Sequence, residues 1–219
     1  ARELADAILA ARGSVMSDKS LRDGFATAVI RAALEAEREN QNQGFSDHRV
    51  KNNILISINR EAAEYAQLLG TAADQLARRE PLASPLKVIE RLRNITPPEG
   101  RLPIQRDNDL LRLAVSASES AALSGKLEIY PKGMSAVRML RLAQGALAGC
   151  AELTIHDLKN RVQRRYPKGE RLPDRPELDR LLDEVGLDLK WHKGAVGGKG
   201  GYVFIRNEIT LSSTGATFS

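Results

Sequence analysis

The run from Asp174 to Arg206 constrains the fold more than any other part of the chain. Leu178, Leu181, Leu182 and Val185 recur at i, i+3, i+4 and i+7, the spacing of one helix face. Asp174 and Glu177 stand in front of them in a capping-box pattern, with Pro176 in the first turn, where its missing N–H is tolerated. Gly186 is the residue type that closes a helix. The period then changes to two, with Leu187, Leu189 and Trp191 on one side of a strand. The glycine-rich GAVGGKGG (194–201) turns the chain, and YVFIR returns it. A helix over 174–186 is thus followed by a hairpin.

Two helical segments precede this run. SAVRMLRLAQGALAG (135–149) is apolar around most of its circumference, with Arg138, Arg141 and Gln144 as its polar stripe, so it is expected to be largely buried. ELT follows as a short strand. Thr154 is placed to cap IHDLKNRVQRRY, where Ile155, Leu158, Val162 and Tyr166 share a face and Pro167 ends the helix. Three helices and then a hairpin are the element order of a winged helix.

The N-terminal part reads in the same order. Residues 2–12 are helical and Gly13 stops them. Ser17 is the expected N-cap of the next stretch, and Gly24 is expected to divide it into a short helix and a longer one carrying Phe25, Val29, Ala32 and Ala36. FSDHRVKNNILISI (45–58) reads as a hairpin turning at Lys51-Asn52-Asn53. Helices follow over 60–79 and from Pro85 to Ile95. Another follows in DNDLLRLAVSASESAAL, with Asp107 or Asn108 as cap. KLEIYPKG is a short extended piece. Breaks at EPLASP and TPPEGRLP place a boundary or linker between 80 and 107.

The expected fold class is therefore mainly α with short β-hairpins, in two winged-helix-type units joined by a helical connector. The first unit with its trailing helix covers 1–80, the connector 81–132, the second unit 133–208, and a Ser/Thr-rich tail 209–219. Aromatic residues are only 4% of the chain, so the core must come from Leu, Ala, Val and Ile, which favours helices. The single cysteine, Cys150, allows no disulfide within the chain and no cysteine-based metal cluster. No segment approaches 18 continuous apolar residues and no secretory signal is visible, so a reducing, cytoplasmic setting is expected. The first residue is an alanine inside a helical run, which suggests a chain cut from something longer.

Catalytic patterns fail on their spacing. GAVGGKGG has glycines and Lys199, but Gly200 stands where a phosphate loop needs Ser or Thr, and a strand follows in place of a helix N-terminus. HRVKNNIL (48–55) echoes a kinase catalytic loop, but Val50 stands where the proton-accepting Asp would be. Neither Asp-Phe-Gly nor a glycine-rich loop accompanies it. His48, His156 and His192 are scattered without partners at ligand spacing. No catalytic residue, metal site or cofactor is expected.

Charge is more informative. Lys and Arg number 33 against 28 Asp and Glu, for a net charge of +5. This excess permits nucleic-acid contact without requiring it. Lys159, Arg161, Arg164, Arg165, Lys168 and Arg171 gather on and after one helix, with Asp157 and Glu170 opposing. In a DNA-reading winged helix the third helix enters the major groove. Here 174–186 holds Arg175 and Arg180 against Asp174, Glu177, Asp179, Asp183 and Glu184, and residues 25–39 are net acidic too. Phosphates repel such helices, so sequence-specific reading is disfavoured. The candidates for an anionic partner are Lys159, Arg161, Arg164, Arg165, Lys193, Lys199, Arg49 and Lys51. Those for protein docking are Glu177, Asp179, Asp183 and Glu184.

Three long segments carry a resemblance: AAEYAQLLGTAADQLARREPLASPLKVIERLR, SGKLEIYPKGMSAVRMLRLAQGAL and LTIHDLKNRVQRRYPKGERLPDRPELDRLLDEVGLDLKW. Together they are similar to the C-terminal, non-catalytic region of the PglW-type serine/threonine kinases of bacterial phage-defence systems, namely phage growth limitation and BREX type 2. The resemblance implies a kinase domain elsewhere in the parent protein, and companions such as a methyltransferase, an ATPase and a phosphatase-like protein. It carries no kinase catalytic residue onto this chain. The expected function is accessory: binding of other defence proteins, of DNA backbone without strong sequence preference, or of both. A free-standing DNA-binding regulator and a structural or dimerising module, including a homo-oligomer, are the alternatives.

Overall fold

The structure is a computed structural model that describes residues 2–13, 17–39, 46–50, 53–57, 60–99, 104–147 and 150–204. Its elements in chain order are α1 (Arg2–Ala11), α2 (Lys19–Glu39), β1 (Ser46–Val50), β2 (Asn53–Ser57), α3 (Arg60–Ala77), α4 (Pro85–Arg93) and α5 (Asp107–Ala117). They continue with β3 (Ala121–Leu123), β4 (Ile129–Pro131), α6 (Ala136–Leu147), β5 (Glu152–Leu153), α7 (Ile155–Arg165), α8 (Glu177–Glu184), β6 (Leu189–His192) and β7 (Gly201–Phe204). The protein is mainly helical with short antiparallel strands. Two compact units interleave along the sequence: residues 1–73 with 89–119, and residues 74–88 with 120–219.

In the first unit α2 runs unbroken through Gly24, so two helices precede the hairpin where three are expected. One glycine costs a helix only about 1 kcal/mol, too little to stop a segment of otherwise helix-forming residues. Asp18, and not Ser17, caps α2, its carboxylate accepting the Leu21 N–H at 2.8 Å. Arg22 of α2 binds Asp6 of α1 through both carboxylate oxygens at 2.6 Å. Of the expected apolar face of α2, Phe25 and Val29 are half-buried and Ala32 and Ala36 exposed, while Ala26 is buried. β1 and β2 pair antiparallel from Ser46↔Ser57 to Val50↔Asn53, so the two flanks of HRVKNNIL are paired strands. Of the expected turn, Asn53 belongs to β2, and Lys51 and Asn52 lie outside the described residues.

The core of this unit draws on Ala63, Ala66, Leu69 and Ala73 of α3, and on Leu110, Leu111 and Ala114 of α5. At Gly70 a Cβ would lie 2.4 Å from the Ala117 carbonyl oxygen, so only glycine lets the end of α5 approach α3 this closely. Neither Asp107 nor Asn108 caps α5. Its N-cap is Arg106, without a side-chain bond, and Asp107 instead binds Arg93.

The second unit contains a hairpin that periodicity hides. The helix expected to run to Leu123 stops at Ala117, and β3 and β4 pair from Ala121↔Pro131 to Leu123↔Ile129. The buried Asp74 carboxylate holds the start of this hairpin. It accepts the Ser120 N–H and hydroxyl at 2.7 Å each and the Ala121 N–H at 3.1 Å. Its signal, a lone Asp on an apolar helix face 46 residues away, cannot be read locally.

The rest of the second unit follows the expected order. α6 buries Met139, Leu140, Ala143 and Leu147. Two stripe residues are engaged: Arg138 donates to the Arg79 carbonyl, and Gln144 to that of Val185. The Thr154 hydroxyl accepts the Asp157 N–H at 3.0 Å, capping α7, whose Leu158 and Val162 are buried along with Tyr166. α8 begins only at Glu177, and its N-cap, Pro176, makes no side-chain bond. No capping box forms, because the Asp174 carboxylate is drawn to Lys159 at 2.6 Å.

Leu178 and Leu182 are fully buried, and Gly186 follows α8 at φ +68°. β6 and β7 form a hairpin whose tip is the glycine-rich run. β7 also pairs with β5, so the three-stranded sheet has the order β5-β7-β6. Gly200 turns at φ +80° against the Trp191 ring, where a Cβ would come within 2.5 Å.

Asp74→Ala is expected to lower the unfolding free energy by about 3 kcal/mol, because it leaves buried donors without an acceptor. Urea denaturation checks this. A loss below about 0.5 kcal/mol, the scale of a surface substitution, would mean that the carboxylate does not hold the hairpin.

Candidate anion-binding surface

The basic helix α7 divides its cations between two roles. Arg161 and Arg164 are exposed and have no side-chain partner among the described residues. Lys168 and Arg171, in the loop that follows, are likewise exposed and unpaired. Lys193 and Lys199 are exposed on the β6–β7 turn, again unpaired. Lys159 is different. It is 27% exposed and bound to Asp174, an arrangement that ties α7 to the approach of α8.

Arg165 does not belong to the exposed set. Its side chain is 15% exposed and meets Glu128, 18% exposed, at 3.0 Å. It also donates to the Leu142 carbonyl at 2.8 Å and lies 5.2 Å from the centre of the Tyr166 ring. Arg165 therefore joins α7 to the β3–β4 hairpin and to α6. Helical position explains this: Arg165 falls seven residues after the buried Leu158 and three after the buried Val162, in line with both, whereas Arg161 lies on the flank of that face and Arg164 on the outer side. The Glu128 partner, 37 residues away, left no sequence signal.

Around this pair lies a polar cluster inside the unit. The Tyr130 hydroxyl accepts the Lys168 N–H at 2.7 Å, and the Tyr130 and Tyr166 rings meet edge to face at 5.2 Å. Burial pushes the Tyr166 hydroxyl up to about 12, and the nearby Glu128 carboxylate adds to the shift.

The acidic helix α8 is also divided. Asp179 accepts the Tyr202 hydroxyl at 2.6 Å on one oxygen and Arg175 Nε at 2.8 Å on the other. The Arg175 guanidinium lies 4.3 Å from the centre of the Trp191 ring, and Trp191 meets its cross-strand neighbour Tyr202 edge to face. Asp183 pairs with Lys190 of β6. Two of the four docking candidates therefore bind the unit's own hairpin, while Glu177 and Glu184 remain exposed and unpaired among the described residues. Burial, followed by the bond to Asp179, raises the Tyr202 pKa well above 10.

Arg49 lies in β1 opposite Ile54. Its side chain, all of Lys51, and the tail from 205 lie outside the described residues. His156 contacts Asn160 at 2.7 Å, and His192 ends β6. Among the described residues no group of three or more His, Cys, Asp or Glu is placed to hold a metal ion. Among them, too, no helix is long and apolar enough to cross a membrane.

Comparison with known proteins bears on what this surface belongs to. No family model matches the chain, and no solved structure matches it. The chain is 30% identical over 226 aligned positions to the probable kinase PglW of Streptomyces coelicolor, a match covering 85% of this chain and 14% of the relative. The chain resembles a part of PglW. The similarity expected from the three quoted segments is thus matched over most of the chain. The chain spans 14% of the length of PglW, and kinase activity is in the name of that whole protein.

Two outcomes follow from the split among the cations and from the tyrosines. Arg165→Ala is expected to destabilise by about 3 kcal/mol, since it strands Glu128 in a mostly buried site. Arg164→Ala is expected to stay within about 0.5 kcal/mol of the parent. Equal losses in chemical denaturation would contradict the division. Tyr166 and Tyr202, the most strongly raised of the tyrosines, keep their protons in the folded chain while unfolded tyrosine ionises near pH 10. Stability is therefore fully present below pH 10 and falls as pH rises from 10 to 12. Urea midpoints at pH 9, 10 and 11 should fall slightly over the first interval and mostly over the last, and a midpoint unchanged to pH 11 would contradict the assignment.

Proposed function

We propose that the chain is a non-catalytic accessory region of a PglW-type phage-defence kinase, acting in the cytoplasm, and that residues 135–204 form a winged-helix-type unit that holds duplex DNA by its phosphates. The observation that carries this reading is the sheet order β5-β7-β6, with β5 between α6 and α7 and a basic turn joining β6 to β7. A short strand after the first helix, pairing with the returning strand of the hairpin, gives a winged helix its sheet. α8 then stands in the position of the groove-entering helix.

The charges favour backbone contact over base reading. Among the described residues Arg161, Arg164, Lys168, Arg171, Lys193 and Lys199 are exposed cations without a side-chain partner, whereas α8 offers only Arg180 beside the likewise unpaired Glu177 and Glu184. Lysine and arginine on phosphates supply affinity that depends on salt and is blind to sequence. The similarity to PglW supports an accessory role within a larger kinase over a free-standing regulator. Glu177 and Glu184 favour a second role, docking of another defence-system protein on α8.

Fluorescence anisotropy with two unrelated duplexes tests this reading. At low salt both should bind with dissociation constants of about 10⁻⁴ to 10⁻⁶ M, alike within about threefold. The double variant Arg161→Glu/Arg164→Glu should weaken both by at least about tenfold. A preference of about a thousandfold for one duplex, the range of specific readers, would overturn it. Absence of binding at low salt would leave the protein-docking role of α8.

A further inference from the structure

The first unit carries an open groove of about 480 Å³ beside the N-terminal half of α3. Glu61, Glu64, Tyr65 and Leu68 follow one another at i, i+3, i+4 and i+7, so one face of α3 forms its wall, with Pro98 and Glu99 opposite. Leu68 is 57% exposed in this groove, although the helix it belongs to buries Leu69 and Leu76 completely or nearly so. A single exposed leucine is ordinary on a protein surface, but Leu68 lines a concave site together with Tyr65, the kind of place where ligands bind.

The charge of the rim selects the occupant. Glu61, Glu64 and Glu99 line the groove, and among the described residues no lysine or arginine does. Arg60 pairs with Glu64, but both side chains are more than half exposed, so an incoming cation exchanges with it at little cost. Arg93 is held by Asp107 and the Gln105 carbonyl. Guanidinium and ammonium groups are attracted both to carboxylates and to the face of a tyrosine ring. We propose that this groove docks a segment of a partner protein in which an apolar side chain is flanked by arginine or lysine. The site lies on the first unit, carries charge opposite to that of the basic cluster on α7, and does not depend on DNA binding.

The test uses the whole chain and a short fluorescein-labelled peptide of alternating leucine and arginine, with two controls. One replaces leucine by serine and the other replaces arginine by glutamate. The leucine–arginine peptide should bind at least about tenfold more tightly than either control, because losing one buried leucine side chain costs about that factor. Leu68→Ser, and separately Glu61→Arg/Glu99→Arg, should each weaken it about tenfold, while DNA binding and the circular dichroism spectrum stay unchanged. Equal binding of the serine control, or full displacement by spermidine, would reduce the groove to a site for simple cations and overturn the proposal. So would concentration-dependent self-association that disappears in Leu68→Ser, since the groove would then belong to a second copy of the chain. If instead DNA binding fails and the peptide results hold, the groove stands while the reading of α7 falls.

Discussion

One carboxylate, Asp179, holds the second unit in its working arrangement. It takes the Tyr202 hydroxyl from the sheet and the Arg175 guanidinium from the entry to α8, and Arg175 in turn covers Trp191. A hydrogen bond to a charged group contributes about 1.5–3 kcal/mol, and this one lies at a fully buried tyrosine. An eight-residue helix has little stability of its own. Leu178 and Leu182 anchor it to the core on one side, and Asp179 fixes it to the hairpin on the other.

This anchoring changes what the charges mean. By composition α8 is an acidic helix, which phosphates would repel. In the structure Asp179 and Asp183 are occupied by Arg175, Tyr202 and Lys190, so they serve the internal joint between helix and hairpin. The same sorting applies to the basic residues. Arg165 and Lys159 are used inside the unit, and Arg161 and Arg164 have no side-chain partner among the described residues. Formal charge along a sequence gives the supply of cations, and only packing shows how many of them face outward.

Much of the second unit was legible because its signals are local. The Thr154 cap, the leucine spacing of α8, Gly186 and the alternation after it each lie within a few residues of the structure they produce. Legibility failed where the deciding partner is distant. The β3–β4 hairpin depends on Asp74, the inward turn of Arg165 on Glu128, and the loss of the capping box on Lys159. Arg175 and Asp179 were the exception, since their i,i+4 spacing could have shown that this acid is paired. In the first unit Gly24 does not divide α2, because its propensity cost is small beside that of ending a helix of 21 residues.

In the proposed mode of binding α7, and not α8, supplies the helical cations that meet phosphate. The salt dependence of duplex binding measures this directly, because each phosphate contact contributes about 0.9 to the slope of log K against log salt. Arg161→Ala and Arg164→Ala should each flatten the slope by roughly that amount, and Arg180→Ala on α8 should leave it unchanged. A slope that is flattened by Arg180→Ala and left unchanged by the two α7 substitutions would contradict the account.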